Sequence, residues 1–436
     1  MADIILKDFS ILNCENKTLF NKVKNNMMIS LDTSTCEVFS SSNQIEPILE
    51  IKKGEYENEV IIITFGYIGR FSAFGVNFDI GYRFGNNVLD KMIARVNDIE
   101  IKSLTLEANT TKNKNKSDNL ALRILYMQFI FKLERLSILG LPKQYIKQNN
   151  HKQFRGQIDI NRYIKKDIPF QGHISSVSYE QKYIQEIIDV LYCALREVEK
   201  SFKDLVIKRV FQIRNIIFNY SNKVLINQQT LTKALQHKVL NNSLYSEFKS
   251  ILEIANYIIT HNFNISYKNN IFTKGLLFDV SILWERYLYK LLKEHFEPQG
   301  WIVIHEEKNE VYQNQFFSRK LIPDIIMKKD NQILVFDAKS KSMKFKKGIG
   351  NGSYGDLDRS DFFQINTYMT YYKNKGYNVL AGGLLYPMEE KYDKNKCFSD
   401  NWFGDEKTKF IIDGIEIIGD EIKEKEFIKR IEELIN

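Results

Sequence analysis

Residues 319–339 read R-K-L-I-P-D-I-I-M-K-K-D-N-Q-I-L-V-F-D-A-K, two apolar runs separated by a short polar turn. This pattern predicts a β-hairpin. With Asp330 and Asn331 as the two turn residues, Asp324 faces Asp337, and facing residues have Cβ atoms roughly 4.5–5.5 Å apart. Lys339 lies two residues after Asp337 and therefore on the same face of the strand. The sequence thus predicts two carboxylates and an ammonium at one point on otherwise apolar strands.

Charges at such a position are costly unless they are paired or bound to a metal ion. Hard divalent ions such as Mg²⁺ or Mn²⁺ take carboxylate oxygens, water and substrate phosphate as ligands. We therefore expect metal-assisted phosphodiester hydrolysis, with metal on Asp324 and Asp337 and with Lys339 orienting or deprotonating the attacking water. The alternative is an exposed ion pair at the end of a hairpin, which would contribute little. Spacing alone does not decide, because Asp405-Glu406-Lys407 has the same spacing.

Length and composition predict a soluble protein of two to four domains. The 436 residues carry a net charge of +8, which favours a polyanionic partner such as nucleic acid but is a weak signal alone. The four cysteines are scattered, so neither a zinc site, a disulfide framework nor an iron–sulfur cluster is expected. There is no secretion signal at the start and no apolar run of about 18 residues, so we expect a cytoplasmic protein without a membrane span.

The pattern of residues along the chain predicts a multidomain α+β protein. We expect a β-rich N-terminal domain over 1–108, a helical middle domain over 109–270, and a C-terminal α/β domain over 271–436. Polar residues at 109–118 indicate a loop between the first two. In the middle domain, helices are expected at 119–139, 178–202, 204–218, 228–239 and 242–260. In the last domain we expect helices at 278–292, 361–372 and 424–435, the hairpin, and a strand at 378–386.

The C-terminal residues resemble the PD-(D/E)xK nuclease superfamily, whose motif matches Asp324, Asp337 and Lys339. The resemblance implies a restriction-endonuclease-like fold and a further acidic metal ligand on the preceding helix, where Glu285 stands in L-W-E-R-Y. It also implies a Gln-x-x-x-Tyr element of the RecB-like branch, matched by Gln364 and Tyr368, which would support the lysine or the phosphate. Glu285 could instead be a solvated helix charge, and Gln364 and Tyr368 could be packing residues.

The layout as a whole resembles the McrC family, the nuclease subunits of McrBC-type modification-dependent restriction systems. G-Y-I-G-R-F at 66–71 and N-F-D-I-G-Y-R-F-G at 77–85 carry the N-terminal part of this resemblance, although the family's usual proline is replaced here. The resemblance implies DNA as substrate and a separate AAA+ GTPase subunit, McrB-like, which would bind the N-terminal domain (1–108) in a hetero-oligomer. No P-loop motif occurs in this sequence, which agrees with that division. Arg70 and Arg83 are both candidates for a contact that stimulates the GTPase.

Three alternatives stay open at this level. A chain with a vestigial nuclease fold could act only as an adaptor that activates a partner NTPase. The basic run after the hairpin could follow DNA phosphates or be a solvated loop; it comprises Lys341, Lys344, Lys346 and Lys347, with Phe345 among them. His295 and His305 lie near the predicted site, and each is more typical of a local hydrogen bond than of a metal ligand.

Overall fold

The computed structural model describes residues 3–23, 26–32, 45–96, 116–151, 153–170, 172–260, 264–265, 273–312, 315–341, 343, 357–419 and 421–435. The chain forms two compact units: one comprises Met1–Leu106, Asn113–Ala121 and Phe263–Asn436, and the other Glu107–Lys112 and Leu122–Asn262. The division into three domains at 108 and 270 stays a prediction. Among the described residues, no helix is long and apolar enough to cross a bilayer.

The N-terminal part of the first unit is rich in strands, as predicted. Its elements are β1 (Asp3–Lys7), β2 (Ile11–Glu15), α1 (Lys17–Lys22), β3 (Asn26–Asp32), β4 (Ile45–Lys53), β5 (Glu59–Thr64), β6 (Tyr67–Ala73), β7 (Val76–Gly81) and α2 (Asn86–Val96). One sheet has the order β2-β5-β4-β3. Side chains of β5 and β7 alternate between buried and half-buried, which is the period of two expected for a strand with one covered face.

The second N-terminal sheet takes two strands from far along the chain. These are β11 (Asn264–Ile265) and β12 (Thr273–Asp279), and the sheet order is β1-β7-β6-β12-β11. Strand β12 pairs antiparallel with β6, from Lys274 opposite Ser72 to Asp279 opposite Tyr67. The sequence analysis assigned residues from 271 onward to the C-terminal domain and did not predict this strand. Strand β12 therefore joins the N-terminal sheet directly to the C-terminal third.

The second unit is mostly helical but also contains a small sheet. Its elements are α3 (Lys116–Ser137, whose first residues, up to Ala121, belong to the first unit), β8 (Lys143–Asn150), β9 (Gln157–Ile158), α4 (Ile160–Lys166), β10 (Ser176–Tyr183), α5 (Gln185–Tyr220), α6 (Gln228–Leu235), a 3₁₀ helix (Lys238–Asn241) and α7 (Glu247–Thr260). The helix expected from 178 was wrong at its start, because Ser176–Tyr183 pairs with β8 along its whole length. Within α5, Phe202 and Val210 have non-helical backbone angles, close to the break predicted between 202 and 204.

The C-terminal third is a mixed sheet covered by helices. Its elements are α8 (Val280–Phe296), a 3₁₀ helix (Glu297–Gln299), β13 (Ile302–His305), β14 (Asn309–Val311), β15 (Arg319–Leu321), β16 (Ile325–Lys329), β17 (Gln332–Ala338), α9 (Arg359–Asn374), β18 (Asn378–Met388), α10 (Lys394–Cys397), β19 (Phe398–Ser399), β20 (Lys409–Ile418), β21 (Glu421–Ile422) and α11 (Glu424–Ile435). The sheet order is β13-β16-β17-β18-β20-β19, with β21 paired to β20. Strands β17, β18 and β20 are parallel, and α9 makes the crossover from β17 to β18.

The hairpin formed by β16 and β17 has the predicted register. Ile325 pairs with Phe336 and Lys329 with Gln332, so Asp330 and Asn331 form the turn. Asp330 takes the left-handed conformation (φ 52°) that a two-residue hairpin turn requires. Side chains of α9 cover one face of the hairpin, while on the other side Trp284 of α8 is fully buried and donates from Nε1 to the carbonyl of Leu385, 3.1 Å away. Helices on both faces explain why the two strands are almost continuously apolar.

Candidate active site

The hairpin brings Asp324, Asp337 and Lys339 to one end of its two strands. Asp324 immediately precedes β16, and its Oδ2 accepts a hydrogen bond from the backbone N–H of Ala338 at 2.7 Å. Asp337, near the end of β17, is fully buried. Lys339 follows β17, and its Nζ lies 2.6 Å from Asp337 Oδ2. The two carboxyls and the ammonium therefore converge where the register predicted.

Burial and neighbouring charges shift the pKa of all three groups. Burial raises the pKa of Asp324 well above its usual value, and the charges of Asp337 and Glu285 raise it further. Burial also raises the pKa of Asp337, against the opposing effect of Lys339. For Lys339, burial acts to lower the pKa, but the charges of the surrounding aspartates outweigh it and the pKa lies above its ordinary value. The site is electrostatically unbalanced: it favours an added cation and keeps its lysine protonated.

Glu285 and His305 stand next to this group. Glu285 lies on α8 and contributes to the raised pKa of Asp324. His305 ends β13, opposite Ile325, and its Nε2 lies 2.6 Å from Glu285 Oε1. The backbone N–H of Glu306 donates to the carbonyl of Asp324 at 3.0 Å, which fixes the end of β13 against the carboxylates. The sequence analysis predicted Glu285 here and placed His305 near the site as a residue with a local hydrogen bond, but the pair of His305 with Glu285 depends on strand pairing and was not predicted.

Four buried side-chain atoms at this point lack a hydrogen-bond partner. They are both carboxylate oxygens of Asp337, Oε1 of Glu285 and Nε2 of His305. Asp337 Oδ2 lies 2.6 Å from Lys339 Nζ, and Glu285 Oε1 lies 2.6 Å from His305 Nε2. Both pairs are at ion-pair distance but do not have the angles of a hydrogen bond. Buried oxygens without donors are typical of a position that a cation completes, and this donor set suits a hard divalent ion. No three of the described His, Cys, Asp and Glu side chains stand in preformed metal-ligand geometry.

Helix α9 supports the lysine. Lys339 Nζ donates to Gln364 Oε1 at 3.2 Å, and Gln364 Nε2 donates to the Tyr368 hydroxyl at 2.9 Å. Asp361, one turn earlier on α9, is buried, and its Oδ1 lies 3.5 Å from Lys339 Nζ. The sequence analysis named Gln364 and Tyr368 but treated Asp361 only as the helix start. No pattern in the sequence distinguishes Asp361 from an ordinary residue of the first helical turn.

The remaining basic residues considered in the sequence analysis either pair with acidic residues or lie outside the described residues. Lys341 is occupied by Asp358 and Asp361, at 3.2 and 2.9 Å. Lys344, Phe345, Lys346 and Lys347 lie outside the described residues, as do Gly348–Gly352 and the side chain of Arg70. His295 lies at the far end of α8 from Glu285 and pairs with Glu432 at 2.7 Å.

Comparison with known proteins identifies the family. The family model for the McrBC 5-methylcytosine restriction system component matches residues 46–387. No curated protein matches the chain significantly. A chain in the refined half-complex from the tetradecameric assembly of Thermococcus gammatolerans McrB AAA+ hexamers with bound McrC matches with a TM-score of 0.52 and 13% identity, over 99% of this chain and 100% of that one. That identity supports a similar fold and nothing more.

A second Thermococcus gammatolerans structure, of the McrBC complex, matches with a TM-score of 0.31 and 14% identity, over 67% of this chain and 87% of that one. A similarity of that size carries no argument about the fold. The family model, by contrast, establishes the family, because it matches well over half of the 436 residues. The chain belongs to the McrBC 5-methylcytosine restriction system component family.

Proposed function

We propose that this chain is the metal-dependent endodeoxyribonuclease subunit of a GTP-dependent restriction complex. It would cleave foreign or modified DNA together with an AAA+ GTPase and stimulate that GTPase. The observation that carries the proposal is the convergence of Asp324, Asp337, Glu285 and Lys339, with buried ligand atoms that have no hydrogen-bond partner. Membership of a restriction-system family supports DNA as the substrate.

The order of elements supports assigning the C-terminal third to the PD-(D/E)xK nucleases. Helix α8 precedes three antiparallel strands, and α9 then crosses over to the parallel strand β18. Asp337 lies in β17, Asp324 and Lys339 flank the two hairpin strands, and Glu285 lies on the preceding helix, which supports the assignment. In addition, burial raises the pKa values of the two aspartates and so disfavours their anionic forms, which a bound cation would stabilise.

In this proposal Asp324, Asp337 and Glu285 would hold Mg²⁺ or Mn²⁺. A bound ion would polarise the scissile phosphate and lower the pKa of water. Lys339 has a raised pKa and is therefore an ammonium, which favours orienting water and neutralising phosphate charge over removing a proton. Gln364 and Asp361 hold the Nζ of Lys339 in place, and Tyr368 holds Gln364.

The AAA+ GTPase partner is part of the same proposal. The similar Thermococcus gammatolerans assembly contains McrB AAA+ hexamers with bound McrC, and we extend that hetero-oligomeric arrangement to this chain. Arg83 is a poor candidate for the contact that stimulates the GTPase, since its side chain is only 8% exposed and ion-paired to Asp8.

The test is cleavage of plasmid DNA carrying 5-methylcytosine, by this protein with its AAA+ partner, GTP and Mg²⁺. We expect Asp337→Ala to lower the cleavage rate by at least about 100-fold while GTPase stimulation persists. Asp405→Ala is the matched control, because Asp405 belongs to the other Asp-x-Lys triplet and pairs with Lys373 at the C-terminal end of α9 instead of with Lys339. Undiminished cleavage by Asp337→Ala would disprove the nuclease assignment. A wild type that stimulates GTP hydrolysis but never cuts DNA would instead identify an adaptor.

A further inference from the structure

Arg83, in the N-terminal part, contacts the backbone just beyond β17, next to Lys339. It lies two residues after β7, and its side chain is 8% exposed. Its backbone N–H and its Nη1 donate to the two carboxylate oxygens of Asp8, at 2.5 and 2.9 Å, and Asp8 is fully buried. The guanidinium also lies over the rings of Phe9 and Phe84, with its Cζ 5.2 and 4.8 Å from their centroids. Arg83 is thus held rigidly on the N-terminal side.

The remaining arm of this guanidinium leaves the N-terminal sheet. Arg83 Nη2 donates to the backbone carbonyl of Ser340 at 2.5 Å, across 257 residues of sequence. Ser340 directly follows Lys339 and is buried. Its hydroxyl lies 2.7 Å from that of Ser281, which stands one helical turn before Glu285 on α8. Ser340, the residue after the candidate lysine, is therefore held by Arg83 through its carbonyl and by α8 through its hydroxyl.

The bond from Arg83 to Ser340 matters because of the position of Lys339. Strand β17 ends at Ala338, so Lys339 has left the regular strand. On one side its own N–H donates to Leu385 of β18 at 2.9 Å. On the other side, the bond from Arg83 fixes the carbonyl of Ser340, in the peptide unit between residues 340 and 341. Without it, the backbone that follows Lys339 would lose one of its anchors, and misplacement of the lysine by about 1 Å can cost roughly 100-fold in rate.

We propose that Arg83 is a positioning residue for Lys339, so that the N-terminal part belongs to the catalytic unit and is more than a docking element. This inference rests on the proposed nuclease function. Arg83 pairs with Asp8 and, through Nε, with Glu389 at 3.4 Å, and not with the carboxylates of the candidate site; it acts on Lys339 through Ser340. Its two arms, one on Asp8 and one on Ser340, couple the first strands of the chain to the candidate catalytic lysine.

The main variant is Arg83→Lys. A lysine keeps a cation beside the buried Asp8 but has one ammonium group, which cannot bind Asp8 and the Ser340 carbonyl in the same geometry. The matched control is Arg95→Lys, since Arg95 also joins the N-terminal part to the C-terminal third, through Glu294 and Glu424. Glu294 is nine residues beyond Glu285 on the same helix, about 13 Å along its axis.

Single-turnover cleavage at saturating DNA and metal should fall about 10- to 100-fold in Arg83→Lys and less than about twofold in Arg95→Lys. The metal concentration for half-maximal rate, complex formation with the AAA+ partner and GTPase stimulation should stay at wild-type values. A cleavage rate in Arg83→Lys equal to that of Arg95→Lys would overturn the proposal. So would a parallel loss of cleavage, complex formation and GTPase stimulation, because Arg83 would then act on folding or on the partner.

A second measurement does not depend on DNA cleavage. Hydrogen exchange followed by mass spectrometry should show faster exchange of the Lys339 amide segment in Arg83→Lys than in Arg95→Lys. Equal exchange in both variants would refute the anchoring role even if the wild type proved to cut no DNA. Should Arg83→Lys fold poorly, the double variant Asp8→Asn/Arg83→Met removes both buried charges together and should show the same local effect.

Discussion

The Oδ2 of Asp324 accepts a hydrogen bond from the backbone N–H of Ala338, 2.7 Å away on the opposite strand. Ala338 stands between Asp337 and Lys339, so this one bond locks the first acidic residue to the backbone that presents the other two groups. The hairpin thereby fixes its three polar side chains as one rigid set. A rigid set with an excess of negative charge has consequences for stability as well as for chemistry.

Asp324→Asn should stabilise the metal-free protein. The pKa of Asp324 is higher in the folded than in the unfolded chain, so folded stability falls as pH rises from about 4 through the folded pKa. In EDTA at pH 8 we expect the variant to melt a few degrees above the wild type, with a smaller difference at pH 5. Mg²⁺ or Mn²⁺ should raise the melting temperature of the wild type more than that of the variant.

Asp358→Asn is the control for this experiment. Hydrogen bonds from Ser360 hold the pKa of Asp358 below its usual range, so its ionised form stabilises the folded state at neutral pH and that contribution is lost in acid. We therefore expect no rise in melting temperature for this variant at pH 8. A wild-type melting temperature at pH 8 equal to that of Asp324→Asn would mean that the charge of Asp324 is already compensated.

Glu285 and His305 should contribute to metal affinity. Glu285→Gln removes a charge from the donor set, and we expect the Mn²⁺ concentration for half-saturation to rise at least tenfold. His305→Ala removes the group that lies 2.6 Å from Glu285 Oε1, and a smaller rise of about three- to tenfold is expected. Titration followed by electron paramagnetic resonance measures both. His295→Ala, which breaks the equivalent pair with Glu432, should leave the titration unchanged. An equal effect of both histidine variants would remove His305 from the site.

Gln364 and Tyr368 should affect the rate more than metal binding. Gln364→Ala removes the acceptor of Lys339 Nζ, and we expect cleavage at saturating metal to slow about 10- to 100-fold. Tyr368→Phe removes only the hydroxyl that holds Gln364, so a loss of less than about tenfold is expected. Thr367→Ala, whose hydroxyl bonds only within the helix, is the control. If Gln364→Ala raised the metal requirement and left the maximal rate alone, the assigned role of Gln364 would be incorrect.

Gly383 should be essential to the sheet beneath the site. A Cβ at this position of β18 would lie 1.9 Å from the carbonyl oxygen of Ile411 in β20, and that oxygen belongs to the backbone. We expect Gly383→Ala to lower the free energy of unfolding by about 2–4 kcal/mol. At Gly81 of β7 the Cβ would lie 3.8 Å from the nearest atom, an ordinary contact, and Gly81→Ala should change stability by less than about 1 kcal/mol. Urea unfolding of both variants decides.

The hairpin and its carboxylates could be predicted from sequence because their geometry is local. A two-residue turn and the side-chain period of two fix which residues face each other, so Asp324 and Asp337 needed no tertiary information. His305, Asp361 and the bond from Arg83 to Ser340 depend on contacts between distant elements, which no short motif encodes. The sequence pattern predicts a helix from residue 178 because residues 178–183 precede a long helical pattern, whereas pairing with β8 decides their conformation.

Strand β12 constrains the order in which this protein can fold during its synthesis. Until residues 273–279 leave the ribosome, β6 exposes an unpaired edge, and the N-terminal sheet waits open while the whole second unit is synthesised. Asp279 is both the last residue of β12 and the N-cap of helix α8. The N-terminal sheet is therefore complete at the residue where the helix that carries Glu285 begins. A nascent chain that stalls before this point carries an unpaired strand edge, whereas one that passes it can complete the N-terminal sheet before the C-terminal third is synthesised.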